Sequence, residues 1–131
     1  MGPAFELVLG VDDPLAGRAA RHATADIIQR WDLRPAVVGD SCLVVSELVT
    51  NALVHGRSDV MLRLLKTDDR LRIEVFDDNT RLPAMVAPDP QSLSGRGLFL
   101  IAALVSTWGT ERTPNGKVVW AEFDLRDRRT G

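Results

Sequence analysis

Apolar residues recur along this chain at two spacings, one typical of strands and one typical of helices. Alternation at Leu71, Ile73 and Val75 predicts a strand with one buried face, whereas apolar residues three and four apart predict helices. The expected strands cover residues 5–9, 60–65, 71–76, 108–112 and 118–125, and the expected helices cover residues 15–31, 36–55 and 97–106.

Turn-forming residues group four of these strands into two hairpins. Residues 67–70 join the strands at 60–65 and 71–76, and Asn115-Gly116 joins the last two strands. Hairpins imply antiparallel pairs, and three helices must cover one face of the sheet. We therefore predict an α+β fold, a two-layer sandwich formed by a single domain over residues 1–131.

The stretch between residues 77 and 95 has no regular periodicity. It contains Pro83, Pro88 and Pro90 together with serines and aspartates. Such a length is unusual for a plain loop inside a compact domain, so it favours a functional lid or a mobile segment.

Composition narrows the function classes. The chain has 131 residues, of which 26% are charged, and its net charge of −2 argues against a general nucleic-acid binder. Its one cysteine, Cys42, cannot form an internal disulfide, which favours a reducing compartment. No signal-peptide pattern is present, and the longest unbroken apolar run, residues 98–105, is too short to cross a bilayer. We expect a cytoplasmic protein without a membrane partner.

A polar stripe runs along the second expected helix. Glu47, Asn51 and His55 recur four residues apart, and each such step turns only about 40° around a helix. Asp40 extends the same stripe. Unpaired polar groups are costly to bury, so the stripe must face water, a partner or a ligand. A carboxylate and a carboxamide one turn apart suit general-base and metal-ligand chemistry.

Two further segments could meet that stripe in one cleft. Asp77 ends a predicted strand, where a carboxylate can accept a hydrogen bond from an exocyclic amine and so read an adenine edge. Gly95-Arg96-Gly97 precedes the third helix, whose first amides and dipole favour phosphate oxygens. Together the three segments would provide base recognition, metal binding and a phosphate cradle.

Each segment alone also has an ordinary structural interpretation. Glu47 and Asn51 could be solvated helix residues, and His55 could cap the helix. Asp77 could begin a turn, and a short glycine pattern could be a simple helix entry. Only the order and spacing of the three segments favour the functional interpretation. No P-loop, dinucleotide fingerprint, zinc cluster or nucleophile elbow is present in the sequence.

The three segments resemble motifs of the histidine-kinase-like (GHKL) ATPase superfamily, in the form found in bacterial anti-sigma factor serine kinases. Residues 47–56, ELVTNALVHG, resemble its N-box. Residues 75–83, VFDDNTRLP, and 94–109, SGRGLFLIAALVSTWG, resemble its two glycine boxes, and residues 115–123, NGKVVWAEF, resemble its final strand motif. These matches cover most of the chain, and the N-box is the most specific of them.

The resemblance implies the Bergerat ATP-binding fold, with a mixed, mostly antiparallel sheet, and ATP with Mg²⁺ as ligands. Glu47 matches the general base, Asn51 the asparagine that binds Mg²⁺, and Asp77 the aspartate that recognises the adenine amino group. The remaining residues implied in the ATP site are Asn79, Gly95, Arg96, Gly97 and Leu98, with His55 in a supporting role.

The sequence departs from the superfamily pattern at several positions. Asn79 and Arg81 stand where the first box has glycines, and Phe99 stands at the third glycine of the second box. Val118 follows Gly116-Lys117 where many relatives have threonine. Dimerisation and phosphoacceptor domains of a sensor kinase are not recognisable in this sequence.

The function implied by the resemblance is an ATP-dependent protein serine kinase that also acts as an anti-sigma factor. Its expected partners are a sigma factor and a small serine-bearing antagonist protein, with no direct nucleic-acid contact. Relatives often form homodimers, and the first helix or a sheet edge would be the surface used. Two alternatives remain open: a non-catalytic binding module that sequesters a partner, which the altered glycine boxes motivate, and an ATP hydrolase that uses water as acceptor.

Overall fold

The computed structural model describes residues 2–55, 58–79 and 93–126 of the chain. Every element expected from the sequence is present in the expected order. The elements are β1 (Ala4–Leu9), α1 (Ala16–Arg30), α2 (Pro35–His55), β2 (Val60–Lys66), β3 (Arg70–Asp77), α3 (Leu93–Leu104), β4 (Thr107–Thr113) and β5 (Gly116–Asp124).

The five strands form one sheet in the order β1-β2-β3-β5-β4. All four pairings between them are antiparallel, so the sheet has no parallel pair among the described strands. The predicted α+β sandwich is confirmed. The β3–β5 pairing places Asp77 opposite Lys117 in the register, although the two residues are 40 positions apart in the sequence.

The helices cover one face of this sheet in chain order. Helix α1 contacts β1, α2 contacts β2, β3 and β5, and α3 contacts β4, while α2 also packs against both other helices. The inward side chains of the strands are apolar at alternate positions, as at Leu62, Ile73 and Ala121, all of which are fully buried. The core therefore lies between the sheet and the central helix α2.

Helix α2 is apolar enough over Pro35–Val54 to span a membrane by length and composition alone, a description that core helices of soluble proteins also meet. In this fold it is the core helix: Val44, Val45 and Val49 are completely buried against the sheet and α1. The burial of this face explains the strongly apolar composition of the segment.

Most elements begin and end within one or two residues of the predicted positions, and the main differences are at the start of α3 and in the last hairpin. Helix α3 begins at Leu93, four residues before the predicted start at Gly97, so the glycine pair lies inside its first turns. In the last hairpin Thr113 pairs with Gly116, and the turn residues are Pro114 and Asn115 rather than Asn115-Gly116. The predicted lid falls mostly on residues 80–92, which lie outside the described residues.

Candidate functional site

The connections between elements bring three segments to the same end of the sheet. Helix α2 ends at His55, shortly before β2 begins at Val60, and Val60 lies at the end of the sheet where β3 finishes with Asp77. Helix α3 leads into β4 at Thr107, which pairs with Glu122 at the opposite end. If α3 runs along the sheet, its first turn lies towards the Asp77 end.

The polar stripe of α2 lies on the flank that faces away from α1. Cys42 lies on the α1 side, because its thiol donates to the Arg21 carbonyl oxygen at 3.8 Å. Glu47 and Asn51 are about 140° and 180° further around the helix, and both are half-buried at the edge of the apolar face. Because α1 contacts β1 and α3 contacts β4 on either side of α2, we infer that this flank faces α3.

Asp77 is a buried carboxylate with two donors on the same oxygen. The Lys117 ammonium lies 2.9 Å from Asp77 Oδ1, and the Asn79 backbone N–H donates to that oxygen at 2.8 Å. Lys117 also donates to the Asn79 carbonyl oxygen at 3.3 Å. The side chains of Asp77 and Lys117 are only 2% and 7% exposed, so this ion pair is shielded from water.

Lys117 was not predicted from the sequence as a site residue. The motif comparison singled out its neighbour Val118, but Val118 pairs with Phe76 and its side chain lies on the opposite face of the sheet from the helices. The signal was present in β5: Val119, Ala121 and Phe123 are buried at alternate positions, and the same alternation places Lys117 on the helix-facing side with Asp77.

Gly116 allows the close approach that forms this pair. A Cβ at Gly116 would overlap the Asp77 carbonyl oxygen and lie 2.6 Å from Asp78 Cα. Any side chain at this position would therefore push β5 away from the end of β3. The glycine serves close packing, since no described glycine has a positive φ.

The glycine segment forms the start of α3. Gly95 is the third residue of this helix, where the backbone N–H has no partner within a helix, whereas Gly97 is the fifth, where an N–H normally bonds within the helix. The side chains of Arg96, Leu98 and His55 lie outside the described part of the structure. Phe99, at the position of the third motif glycine, is 37% exposed.

The donor set of the stripe suits Mg²⁺ better than a transition metal. No cluster of three or more histidine, cysteine or acidic side chains occurs within the described residues. Mg²⁺ is commonly held by one or two protein oxygens together with substrate phosphates and water. The Asn51 carboxamide, with Glu47 one turn away, fits that mode of binding.

Comparison with known proteins agrees with this architecture. The family model of the histidine kinase-like ATPase domain matches residues 12–123. The histidine kinase domain from Erythrobacter litoralis EL346 blue-light activated histidine kinase is structurally similar, with a TM-score of 0.58 and 26% sequence identity. The match covers 87% of this chain and 63% of that one, so this chain spans less than two thirds of the compared kinase domain. A search of curated proteins finds no match.

Proposed function

Because the chain belongs to the histidine kinase-like ATPase domain family, which supports ATP binding, we propose that it is an ATP-dependent protein serine kinase that also acts as an anti-sigma factor. The observation that supports this proposal is that α2, at His55, leads into β2 at the end of the sheet where β3 ends with Asp77, whereas α3 leads into β4 at the opposite end. The proposed partners are a sigma factor and a small antagonist protein with an acceptor serine, in the cytoplasm.

Each group would have a distinct role at this end of the sheet. Asp77 would accept a hydrogen bond from the adenine amino group, and Asn51 would hold Mg²⁺ through its amide oxygen. Glu47 would orient or deprotonate the acceptor serine hydroxyl. When bound, Mg²⁺ supplies charge neutralisation of the phosphates.

The start of α3 would complete the phosphate site. The Gly95 amide, which has no partner within the helix at this position, and the positive end of the helix dipole favour phosphate oxygens. Arg96 would add a positive charge, while Asn79, Gly97, Leu98 and His55 would line or support the site. Phosphoryl transfer depends mainly on positioning and charge stabilisation, so a single small domain with few catalytic groups is sufficient.

The test is transfer of labelled phosphate from ATP to candidate antagonist proteins. We expect Glu47→Gln to lower transfer by at least a hundredfold, in line with general-base contributions, without abolishing ATP binding. Asn51→Ala should remove the Mg²⁺-dependent part of the rise in melting temperature that ATP produces. Ser46→Ala is the matched control, because Ser46 lies about 100° from Glu47 and about 140° from Asn51 around the same helix. Unchanged transfer in both site variants would refute the assigned roles.

A non-catalytic binding module is the second candidate. The presence of Asn79 and Phe99 at positions where the motifs have glycine favours it. Such a protein would inhibit its partner in a fixed stoichiometry and form no phosphorylated product. Phosphate release from ATP in the absence of any protein partner would instead identify an ATP hydrolase.

A further inference from the structure

Lys117 is a buried cation next to Asp77, the residue that would recognise the adenine base. Burying an ammonium group is costly unless it is paired, and here its partner is the Asp77 carboxylate at 2.9 Å. The ion pair and the Asn79 carbonyl oxygen provide two acceptors for Lys117. The Lys117 side chain is therefore held in place by residues 77–79, the same short segment that contains the Asp77 carboxylate.

The hydrogen bonds fix the orientation of the Asp77 carboxylate. The Lys117 ammonium and the Asn79 N–H both bind Oδ1, and no described residue donates to Oδ2. Two donors on one oxygen restrain rotation of the carboxylate about its last torsion angle. Oδ2 is then the oxygen available to accept a hydrogen bond from a ligand.

The backbone around this pair is restrained as well. Asp77 and Lys117 are opposite each other in the β3–β5 register, and Gly116 packs directly on the backbone of Asp77 and Asp78. The carboxylate is thus fixed by its own strand, by the neighbouring strand and by a charged side chain. Such preorganisation lowers the cost of orienting a hydrogen-bond acceptor when a ligand binds.

From this geometry we infer that Lys117 is a positioning residue that sets base selectivity by holding Asp77 ready for the 6-amino group of adenine. The inference rests on the proposed ATP-binding function. Lys117 acts through Asp77 and not through the base itself. A purely stabilising Lys117 would affect folding, but would leave the preference for an amino-bearing base unchanged.

The experiment compares dissociation constants of the full chain for ATP and for inosine triphosphate, which has a carbonyl oxygen in place of the 6-amino group, both with Mg²⁺. Wild-type protein should bind ATP more tightly than inosine triphosphate. Lys117→Met should reduce this ratio of affinities roughly tenfold, which is the effect expected from losing one hydrogen bond to a charged group. In an Asp77→Asn background, Lys117→Met should produce no further change in the preference. Lys66→Met is the matched control, since Lys66 lies at the far end of β2 and donates only to a neighbouring carbonyl oxygen among the described residues.

Equal loss of affinity for both nucleotides in Lys117→Met would overturn the inference, because it would indicate a structural role alone. If Lys117→Met does not fold, Lys117→Gln replaces it. Glutamine is a shorter, neutral donor, so this variant should prefer ATP less than wild type does and more than Asp77→Asn does. A preference equal to that of wild type would again overturn the inference. Wild-type protein that binds neither nucleotide would instead refute the proposed function. A wild-type preference that disappears in Asp77→Asn but persists in both Lys117 variants would refute only the role of Lys117.

Discussion

The guanidinium group of Arg72 lies over the indole ring of Trp120, with its carbon 4.4 Å from the ring centroid. Both side chains are on the face of the sheet that the helices do not cover. Arg72 also donates to Glu74 at 2.8 Å and to Glu122 at 3.0 Å, so one cation connects β3 and β5 through two carboxylates and an aromatic ring. This face is therefore stabilised by charged and aromatic pairs instead of by a second layer.

Replacing Arg72 with methionine should destabilise the fold by about 1–2 kcal/mol, because the nearly buried Glu74 loses one of its two cations and Trp120 loses its cation–π contact. The measurement is urea unfolding followed by tryptophan fluorescence. Arg30→Met is the control: Arg30 forms an exposed ion pair with Asp26 on α1, and its loss should cost no more than about 0.5 kcal/mol. Equal unfolding midpoints for the two variants would contradict this account.

Much of the fold could be predicted because the apolar residues that recur along the sequence are the ones that are buried in the structure. In β3 the alternating residues Leu71, Ile73 and Val75 are the buried ones, and in α2 the apolar stripe is the face packed on the sheet. The prediction of α3 started too late because glycines at 95 and 97 have low helix propensity. Tertiary packing outweighs that propensity, since Ile101 in the middle of the helix is 1% exposed.

Two glycines should respond in opposite directions to replacement by alanine. A Cβ at Gly109 would lie 2.7 Å from the Trp120 ring, so Gly109→Ala should destabilise the protein by about 1–3 kcal/mol through overpacking. Gly39 lies within helix α2 with nothing near its missing Cβ, so Gly39→Ala should stabilise by about 0.5–1 kcal/mol. Thermal unfolding of both variants tests this prediction. A change of melting temperature in the same direction in both would show that the space around the missing Cβ does not determine the sign of the effect.

The end of α1 offers a stabilising substitution. Asp32 has a φ of 59°, and the N–H groups of Asp32 and Leu33 bond to the carbonyl oxygens of Gln29 and Ile28, which is a Schellman motif. Glycine adopts this backbone conformation without steric cost, so Asp32→Gly should raise stability by about 0.5–1 kcal/mol. Asp32→Ala is the comparison and should lower it. A lower melting temperature for the glycine variant than for wild type would contradict the assignment.

Cys42 should make stability depend on pH in the alkaline range. Burial raises the pKa of the Cys42 thiol, and the nearby positive charge of Arg21 only partly offsets this effect. Because the folded state favours the neutral thiol, its contribution is present below the unfolded pKa of about 8.5 and is lost as pH rises through the higher folded pKa. Native protein at pH near 8.5 should therefore react with iodoacetamide more slowly than urea-unfolded protein.

The control for this prediction is Cys42→Ala, which should lose less stability than wild type between neutral pH and about pH 10. Identical pH dependence of unfolding in the two proteins would show that Cys42 does not contribute. Equal alkylation rates for native and unfolded wild-type protein would contradict the shielding of the thiol.

Residues of the candidate site could be proposed from the sequence, but the residues that they pair with in the fold could not. Glu47 and Asn51 are one turn apart on one helix, so their shared face follows from local geometry alone. The Asp77–Lys117 pair depends on β5 lying next to β3, a non-local pairing that the hairpin signals do not specify. Alternation within β5 gives the side on which Lys117 lies, but only the strand order gives the residue that it faces.

The Asp77–Lys117 pair should dominate the local stability of this end of the sheet. Removing one partner of a buried ion pair leaves an uncompensated charge, so Lys117→Met should cost about 3–5 kcal/mol. The double variant Asp77→Asn/Lys117→Met carries neither charge and should recover part of that loss. Double-mutant analysis of urea unfolding would measure the coupling, and we expect the double variant to be more stable than Lys117→Met alone. Additive losses would show that the two side chains contribute independently, despite their 2.9 Å separation.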